Sequence, residues 1–173
     1  LVKSLAAGVN PVDNMITRGE VKLIIPYQLP IVAGNEIVGE IVALGANVSG
    51  FKKGDRVFAR LPLKHPGAFA QFVAIDSHAI AKVPAYLSNE EAAAIPLTAL
   101  TAMQALELMD VQPGKKLFIS GGTGGFGAMA IPLAKAMGLY VITNGNGRNA
   151  ERVLALGADE FIDYRKDDYA QKA

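Results

Sequence analysis

The segment that most restricts the possible fold of this chain is a glycine-rich stretch at residues 120–127, which reads Ser-Gly-Gly-Thr-Gly-Gly-Phe-Gly. Three of its glycines fit the pattern G-x-G-x-x-G: Gly122, Gly124 and Gly127. An apolar strand is predicted before the segment and an amphipathic helix after it, which is the context that this motif requires. Glycine lets the backbone turn sharply and approach a pyrophosphate at the N-terminus of the helix. A glycine-rich turn without a ligand is the alternative, but it does not need five glycines in seven residues, so the segment predicts a dinucleotide site.

The pattern around this segment predicts a parallel α/β sheet. Strand and helix patterns alternate over residues 116–120, 126–137, 140–143, 150–156 and 160–163, and such alternation is typical of parallel βαβ units. Two more helices are predicted ahead of it, one from the capping-box spacing of Ser88 and Glu91 and one over 97–109. Four methionines in the predicted helices are expected to lie in the core: Met103, Met109, Met129 and Met137.

The residues before Pro84 have a different sequence pattern, in which short apolar runs are interrupted by glycine and proline. Strands are predicted over 37–44, 55–59 and 68–75. Several strands at such short spacing suggest a small barrel or sandwich. The chain is therefore predicted to hold a β-rich part followed by an α/β part.

The loop after the second strand of the α/β part bears on which dinucleotide is bound. Proteins that prefer NAD place an acid there, about 20 residues after the glycines, to hold the ribose 2′-hydroxyl. Residues 143–148 read Thr-Asn-Gly-Asn-Gly-Arg and contain no acid, and Arg148 can pair with a 2′-phosphate, although it can also be a solvated residue ahead of the next helix. The sequence therefore predicts NADPH as the cofactor, in contact with Gly122, Thr123, Gly124, Gly125, Phe126, Gly127, Asn144, Asn146 and Arg148.

Composition narrows the class of protein and its partners. Hydrophobic residues make up 51% and charged residues 19% of the 173, which is typical of a globular protein with a core. The formal net charge of +1 provides no strong field for nucleic acid or an anionic membrane, and no apolar run reaches the ~18 residues of a membrane span. Because the chain has no cysteine, disulfides and thiolate metal sites are excluded, which is compatible with the cytoplasmic location that we expect. His65 and His78 lack the spacing of a metal-binding helix, so no metal site is predicted.

Several motifs together resemble the medium-chain dehydrogenase/reductase superfamily, and within it the zinc-free quinone oxidoreductases. They are Gly-Val-Asn-Pro-Val-Asp at 8–13, the segment 30–39, Gly-Phe-Lys-Lys-Gly-Asp-Arg-Val at 50–57, Gly-Ala-Phe-Ala-Gln at 67–71, Pro-Leu-Thr-Ala-Leu-Thr-Ala at 96–102 and the glycine-rich segment. The resemblance implies a GroES-like substrate domain over 1–86, without its first strands, and the first half of a Rossmann cofactor domain over 87–173. We therefore expect the chain to be an internal piece of a longer protein.

The resemblance also implies chemistry without zinc. Zinc-dependent relatives have a cysteine ligand where this chain has Asn10 and a histidine where it has Asn35, and they insert a four-cysteine lobe that the short link 59–66 lacks. Without a Lewis acid an unactivated aldehyde is a poor substrate. Quinones and α,β-unsaturated carbonyls delocalise the incoming charge onto an oxygen that solvent or a hydrogen-bond donor can protonate. The implied function is NADPH-dependent reduction of such a small molecule, and relatives often pair as homodimers.

By the same resemblance, the candidate catalytic residues are Asn10, Asn35 and Thr101, with Asp13 a weaker candidate. Each has an alternative, because Asn10 and Asn35 can be turn residues and Thr101 can bond to its own helical turn. Many quinone reductases have a tyrosine where this chain has Met15, so no tyrosine proton donor is implied here.

Two further residues have the same ambiguity. Tyr164 lies where relatives contact the cofactor, but an aromatic residue at the sheet edge is the alternative. His65 lies in a shortened loop and is either a hydrogen-bond donor or a solvated loop residue.

Two other functions remain open at the level of sequence. One is a catalytically weak NADPH-binding redox sensor or structural protein, since the glycine-rich segment supports binding in that case too. The other is a zinc-free NADP-dependent alcohol dehydrogenase. Turnover with quinones, enones or alcohols separates the three.

Overall fold

A computed structural model of the chain describes residues 1–24 and 26–166. The chain divides into two compact units, Leu1–Leu97 and Thr98–Ala173. The first contains an antiparallel sheet and the second a parallel one. This is the predicted fold class, a β-rich part followed by parallel βαβ units, whereas the domain limits of 1–86 and 87–173 stay a prediction.

The first unit is built on a five-stranded antiparallel sheet. Its strands are β1 (Val2–Gly8), β2 (Glu36–Ile41), β3 (Arg56–Arg60), β4 (Phe72–Val73) and β5 (Ile80–Lys82), in the order β4-β1-β2-β3-β5. The central strand β2 is covered on both faces, because Ile37 packs against Ala59 and Leu61 while Val38 packs against Ala92 and Ala93. Residues at the start of β2 are therefore buried whatever their polarity.

The helices of the first unit begin where the sequence supplies caps. Helix α1 (Pro11–Thr17) has Asn10 as its N-cap and Pro11 in its first turn, and no helix was predicted there. Helix α2 (Asn89–Ala93) begins at the predicted capping box: Ser88 Oγ accepts from the Glu91 N–H at 3.1 Å, and Glu91 Oε2 accepts from the Ser88 N–H at 2.9 Å. Helix α3 (Pro96–Leu108) begins one residue before the helix predicted over 97–109, at a proline, which suits the first turn of a helix.

The strand predicted over 68–75 is wrong for most of its length. Only Phe72 and Val73 form strand pairs with β1, next to one hydrogen bond from the Ser4 N–H to Gln71 O. The preceding backbone bonds instead to a turn, since Gly34 O accepts from the Gly67 and Ala68 N–H groups and Ala33 O accepts from the Phe69 N–H. Those contacts bury Ala68 and place this segment outside the ladder.

The second unit follows the predicted alternation. Its strands β6 (Lys116–Ile119), β7 (Tyr140–Gly145) and β8 (Glu160–Asp163) are parallel and lie in that order, joined by α4 (Gly125–Ala136) and α5 (Ala150–Ala155). The core between sheet and helices includes Leu117, Ile131 and Val141. Among the described residues, no helix is long and apolar enough to cross a membrane.

The expectation that four helical methionines are core residues is largely wrong. Met129 packs against the core of the second unit, whereas Met103, Met109 and Met137 expose 49%, 57% and 40% of their surface. Met103 lies on α3, and Met109 and Met137 directly follow α3 and α4.

Candidate functional site

Two glycines of the G-x-G-x-x-G motif are required by packing within the protein. A Cβ on Gly122 would lie 2.2 Å from Thr143 Oγ1, and a Cβ on Gly127 would lie 2.4 Å from the Cα of Gly122. The loop therefore closes onto β7 and onto the first turn of α4 at these two positions. Gly121 has a φ of 74°, a left-handed conformation that favours glycine.

The middle glycine has open space around it instead. Gly124 is the N-cap of α4, with a φ of −87°, and a Cβ there would have only Gly121 O within 4 Å, at 3.4 Å. The first N–H groups of a helix have no partner inside the helix. An exposed loop backbone over the start of a 12-residue helix fits the pyrophosphate of a dinucleotide. The remaining predicted contacts, Thr123, Gly125 and Phe126, lie on the same loop and first turn.

The end of β7 holds this loop in place. Thr143 Oγ1 donates to Ile119 O and accepts from the Gly122 N–H at 3.1 Å. Asn144 Oδ1 accepts from the Gly121 N–H at 2.7 Å, and its backbone oxygen accepts from the Gly122 N–H. Asn144, predicted to contact the cofactor, is buried and orients the loop. Thr143 was missed, although a polar residue near the carboxyl end of a buried parallel strand is a signal that could have found it.

The segment after β7 carries the other predicted cofactor residues. Asn146 Oδ1 accepts from the Arg148 N–H at 3.3 Å, which starts a short 3₁₀ turn over Gly147–Asn149. The Arg148 side chain is exposed and forms no ion pair with any described residue. Tyr164 is 48% exposed and donates its backbone N–H to Gly145 O at 3.2 Å, so its backbone adjoins the end of β7.

An acid that the sequence analysis missed also lies at this segment. Asp163 ends β8 opposite Gly145 in the parallel register. Its Oδ2 atom lies 2.2 Å from the place where a Cβ on Gly147 would be. Residues 143–148 contain no acid, as the sequence shows, yet a carboxylate reaches the segment from the neighbouring strand. Sequence spacing along one strand cannot reveal a residue that register brings in from the next.

In the first unit, the structure brings Asn10 and Asn35 together through a carboxylate. Asp13 Oδ2 accepts from the Asn10 backbone N–H at 2.8 Å, and Asp13 Oδ1 accepts from Asn35 Nδ2 at 2.5 Å. Asp13 is only 3% exposed. The turn between β1 and α1 is thereby tied to the residue that precedes β2.

A second buried carboxylate completes this cluster. Glu36 is 2% exposed; its Oε1 accepts from Asn10 Nδ2 at 2.6 Å and its Oε2 accepts from the Leu97 N–H at 2.8 Å. Gly8 leaves the space that this carboxylate occupies, because a Cβ on Gly8 would lie 2.2 Å from Glu36 Oε1. Glu36 was not predicted, and a glutamate directly before the apolar residues Ile37 and Val38 is the signal that could have identified it.

Asn35 has no exposed surface at all. Its Oδ1 atom is buried and has no hydrogen-bond partner among the described residues, while its Nδ2 is held by Asp13. A buried amide oxygen without a partner in the protein costs free energy.

The other candidates lie at the surface. Thr101 is exposed on α3, and Met15, at the position of the family tyrosine, is 39% exposed on α1. His65 is exposed, and His78 lies 2.9 Å from Asp76, where its backbone N–H and its ring hold the pKa of the Asp76 carboxyl below the usual value. Within the part of the chain that the structure describes, no group of three histidine, aspartate or glutamate side chains could hold a metal ion.

Comparison with known proteins identifies the family. Residues 1–85 match the model of the alcohol dehydrogenase GroES-like domain. A quinone-oxidoreductase homolog described as chloroplastic, from Spinacia oleracea, is 36% identical over 171 residues, which are 95% of this chain and 52% of that protein.

Solved structures give the same result. An alcohol dehydrogenase superfamily protein from Novosphingobium aromaticivorans superimposes with a TM-score of 0.91 at 36% identity, over 99% of this chain and 53% of its own. The quinone oxidoreductase from Thermus thermophilus, which was also solved in complex with NADPH, has a TM-score of 0.84 at 31% identity, over 99% and 53% of the two chains. The chain spans about half the length of these relatives. Because its GroES-like region and nearly all of its remaining length align with quinone oxidoreductases and their relatives, this chain belongs to the medium-chain dehydrogenase/reductase superfamily.

Proposed function

We propose that this chain carries the dinucleotide-binding loop and part of the catalytic apparatus of an oxidoreductase that uses NADPH to reduce a quinone or an α,β-unsaturated carbonyl without zinc. The observation that carries the proposal is the loop at residues 121–127, which is packed against β7 by Gly122 and is open over Gly124. A loop built only for a tight turn does not need an open face over a helix N-terminus. The names of the spinach and Thermus relatives support the reaction class.

The residues of the second unit bind and orient the cofactor. Thr143 and Asn144 fix the loop so that its backbone can approach the pyrophosphate, and Arg148 reaches the 2′-phosphate. When bound, the nicotinamide supplies the hydride. Tyr164, exposed beside the end of β7, is a further contact for the adenosine end.

The residues of the first unit position a polar group at the substrate. The Asn10 amide is half-buried and cannot rotate freely, because Glu36 accepts from its Nδ2. Asn10 is therefore the catalytic candidate of this cluster, while Asp13, Asn35 and Glu36 act through it as positioning residues. Fixed orientation of one such group contributes to rate by holding the reacting atoms in place.

The proton for the acceptor oxygen has two sources in this proposal. Solvent can protonate the oxygen of a conjugated carbonyl once the charge has been delocalised. The Thr101 hydroxyl, exposed on α3, is the side-chain candidate, since Met15 provides no donor.

The test is consumption of NADPH and of NADH by the protein with a quinone, an enone and an aldehyde in turn, and of NADP⁺ with an alcohol. Rapid NADPH loss with the quinone or enone alone supports the proposal. Oxidation of alcohols without enone or quinone reduction would instead establish an alcohol dehydrogenase, and tight NADPH binding without turnover would establish a sensor.

Location and assembly also remain predictions. We expect a cytoplasmic protein that forms a homodimer, acts on a small molecule and binds neither nucleic acid nor a membrane. The spinach relative is chloroplastic by name, so fractionation of the source cells is the direct test of location.

A further inference from the structure

The segment between β7 and α5 has a positive side chain of its own and is contacted by a negative side chain from the next strand. Arg148 belongs to the segment itself, in the 3₁₀ turn Gly147–Asn149. Asp163 reaches it from the end of β8, with Oδ2 directly over Gly147. The two charges have opposite preferences for the group attached to the ribose 2′ carbon of a dinucleotide.

The Asp163 carboxylate is held in this place by the backbone. Its Oδ1 accepts from the Arg165 N–H at 3.1 Å, which leaves Oδ2 on the side of Gly147. The side chain is 15% exposed, so it retains access to a ligand. Lys166 Nζ lies 4.0 Å from Oδ2, but Lys166 is 81% exposed and so neutralises the carboxylate only weakly.

Gly147 makes this arrangement possible. Its φ is outside the left-handed range, so the backbone does not require glycine there. What requires glycine is the carboxylate, because any Cβ would collide with Asp163 Oδ2 at 2.2 Å.

We propose that Asp163 is a specificity-determining residue for the ribose 2′ group, which accepts a hydrogen bond from a free 2′-hydroxyl and repels a 2′-phosphate. Acids at this edge of a dinucleotide-binding sheet select NAD in the same way, although they usually follow the second strand. Arg148 favours the phosphate, so the two residues oppose each other and the protein accepts both NADPH and NADH. This inference rests on the proposed function, and it replaces exclusive use of NADPH with the use of both NADPH and NADH.

The experiment measures binding and needs no turnover. Dissociation constants of 2′,5′-ADP and 5′-AMP, and then of NADPH and NADH, are determined by calorimetry for the wild type, Asp163→Asn and Gly147→Ala. Asparagine keeps the Oδ1 acceptor for Arg165 and removes only the charge. Alanine at 147 keeps the charge and displaces it. Both variants are expected to shift the affinity ratio toward the 2′-phosphorylated ligand by about tenfold.

The matched control is Glu160→Gln, which removes a carboxylate from the other end of the same strand, where it bonds to the Tyr140 hydroxyl. It should leave the ratio unchanged. An unchanged ratio in Asp163→Asn, or an equal loss of both ligands, overturns the inference while the proposed function stands. Failure of the wild type to bind any of the four nucleotides contradicts the proposed function and the inference together.

Discussion

At the scale of single residues, the first unit contains two carboxylates that are almost completely buried. Asp13 and Glu36 form no ion pair with any residue that the structure describes, and each is held by N–H donors instead. Burying a charge is costly unless hydrogen bonds replace its water. Stability alone would be served better by an apolar side chain at the start of β2. The free-energy cost of burying the Glu36 carboxylate is explained if Glu36 orients Asn10.

Replacement of Glu36 by glutamine tests that role. Glu36→Gln keeps the size of the side chain but offers only one acceptor oxygen to the Asn10 amide and the Leu97 N–H. If Glu36 positions Asn10, kcat for quinone reduction should fall about 10- to 100-fold with little change in the KM for NADPH. Far-UV circular dichroism checks that the variant is folded.

The control for this prediction is Glu40→Gln, on the same strand. Glu40 is exposed at the other end of β2, so its replacement should leave kcat unchanged. A kcat equal to that of the wild type in Glu36→Gln would show that the cluster is only structural.

The glycines of the binding loop give a second prediction at this scale. Gly122→Ala places a Cβ 2.2 Å from Thr143 Oγ1, so the variant should unfold at lower urea concentration than the wild type. Gly124→Ala has room within the protein and should unfold like the wild type, yet bind NADPH at least tenfold more weakly because its methyl group occupies the face of the loop. Equal NADPH affinity in Gly124→Ala and the wild type would argue against a ligand on that face.

At the scale of elements, the sequence predicts those helices and strands whose formation depends on local signals. The capping box at Ser88 and the alternation of β6 to β8 are local, and the structure confirms them. The strand at 68–75 has a strand-like pattern, but its backbone finds partners at Ala33 and Gly34, which lie far away in sequence. Helix α1 was missed because its short span contains a proline and an asparagine that also fit a turn.

One contact between elements should make stability depend on pH. Lys135 on α4 donates to both oxygens of Asp159, at 2.8 and 2.7 Å, and the Val141 N–H of β7 donates to Asp159 Oδ2 at 2.6 Å. The Lys135 hydrogen bond and then that of Val141 hold the pKa of the Asp159 carboxyl below its usual value. A lowered pKa in the folded state stabilises the protein above the unfolded-state pKa of about 3.9, and that stabilisation is lost as the pH falls through the folded-state value.

The variant Asp159→Asn should therefore be less stable than the wild type at pH 7, with a difference that narrows at pH 4 and below. Urea unfolding followed by circular dichroism at pH 7, 5, 4 and 3 measures the difference. Glu107→Gln, an exposed position on α3, should show no such pH trend. A constant difference across the series would assign the effect of Asp159→Asn to packing instead of charge.

At the scale of the whole molecule, the residues proposed to bind the dinucleotide lie at one edge of the parallel sheet. The glycine-rich loop follows β6, Asn144 and Gly145 end β7, and Asp163 ends β8. Ligands bind at the carboxyl ends of such strands. The sequence predicts this edge, since each strand's end can be located along the chain. It does not predict which side chains meet there, because Asp163 reaches Gly147 through the pairing of β8 with β7.

Sequence likewise does not predict which side chains surround Asn10 and Asn35, and the proposed metal independence depends on those neighbours. Both positions hold a cysteine or histidine ligand in zinc-dependent relatives, and here both amides are bonded to buried carboxylates, to Glu36 and to Asp13. Zinc in proteins is bound by cysteine, histidine and carboxylate side chains, and these two positions supply amides instead. Dialysis against a strong chelator should therefore leave quinone reduction at its original rate, and elemental analysis of the purified protein should find well under one zinc per chain. Loss of activity on dialysis that added zinc restores would contradict both the zinc-free mechanism and the positioning role given to Glu36.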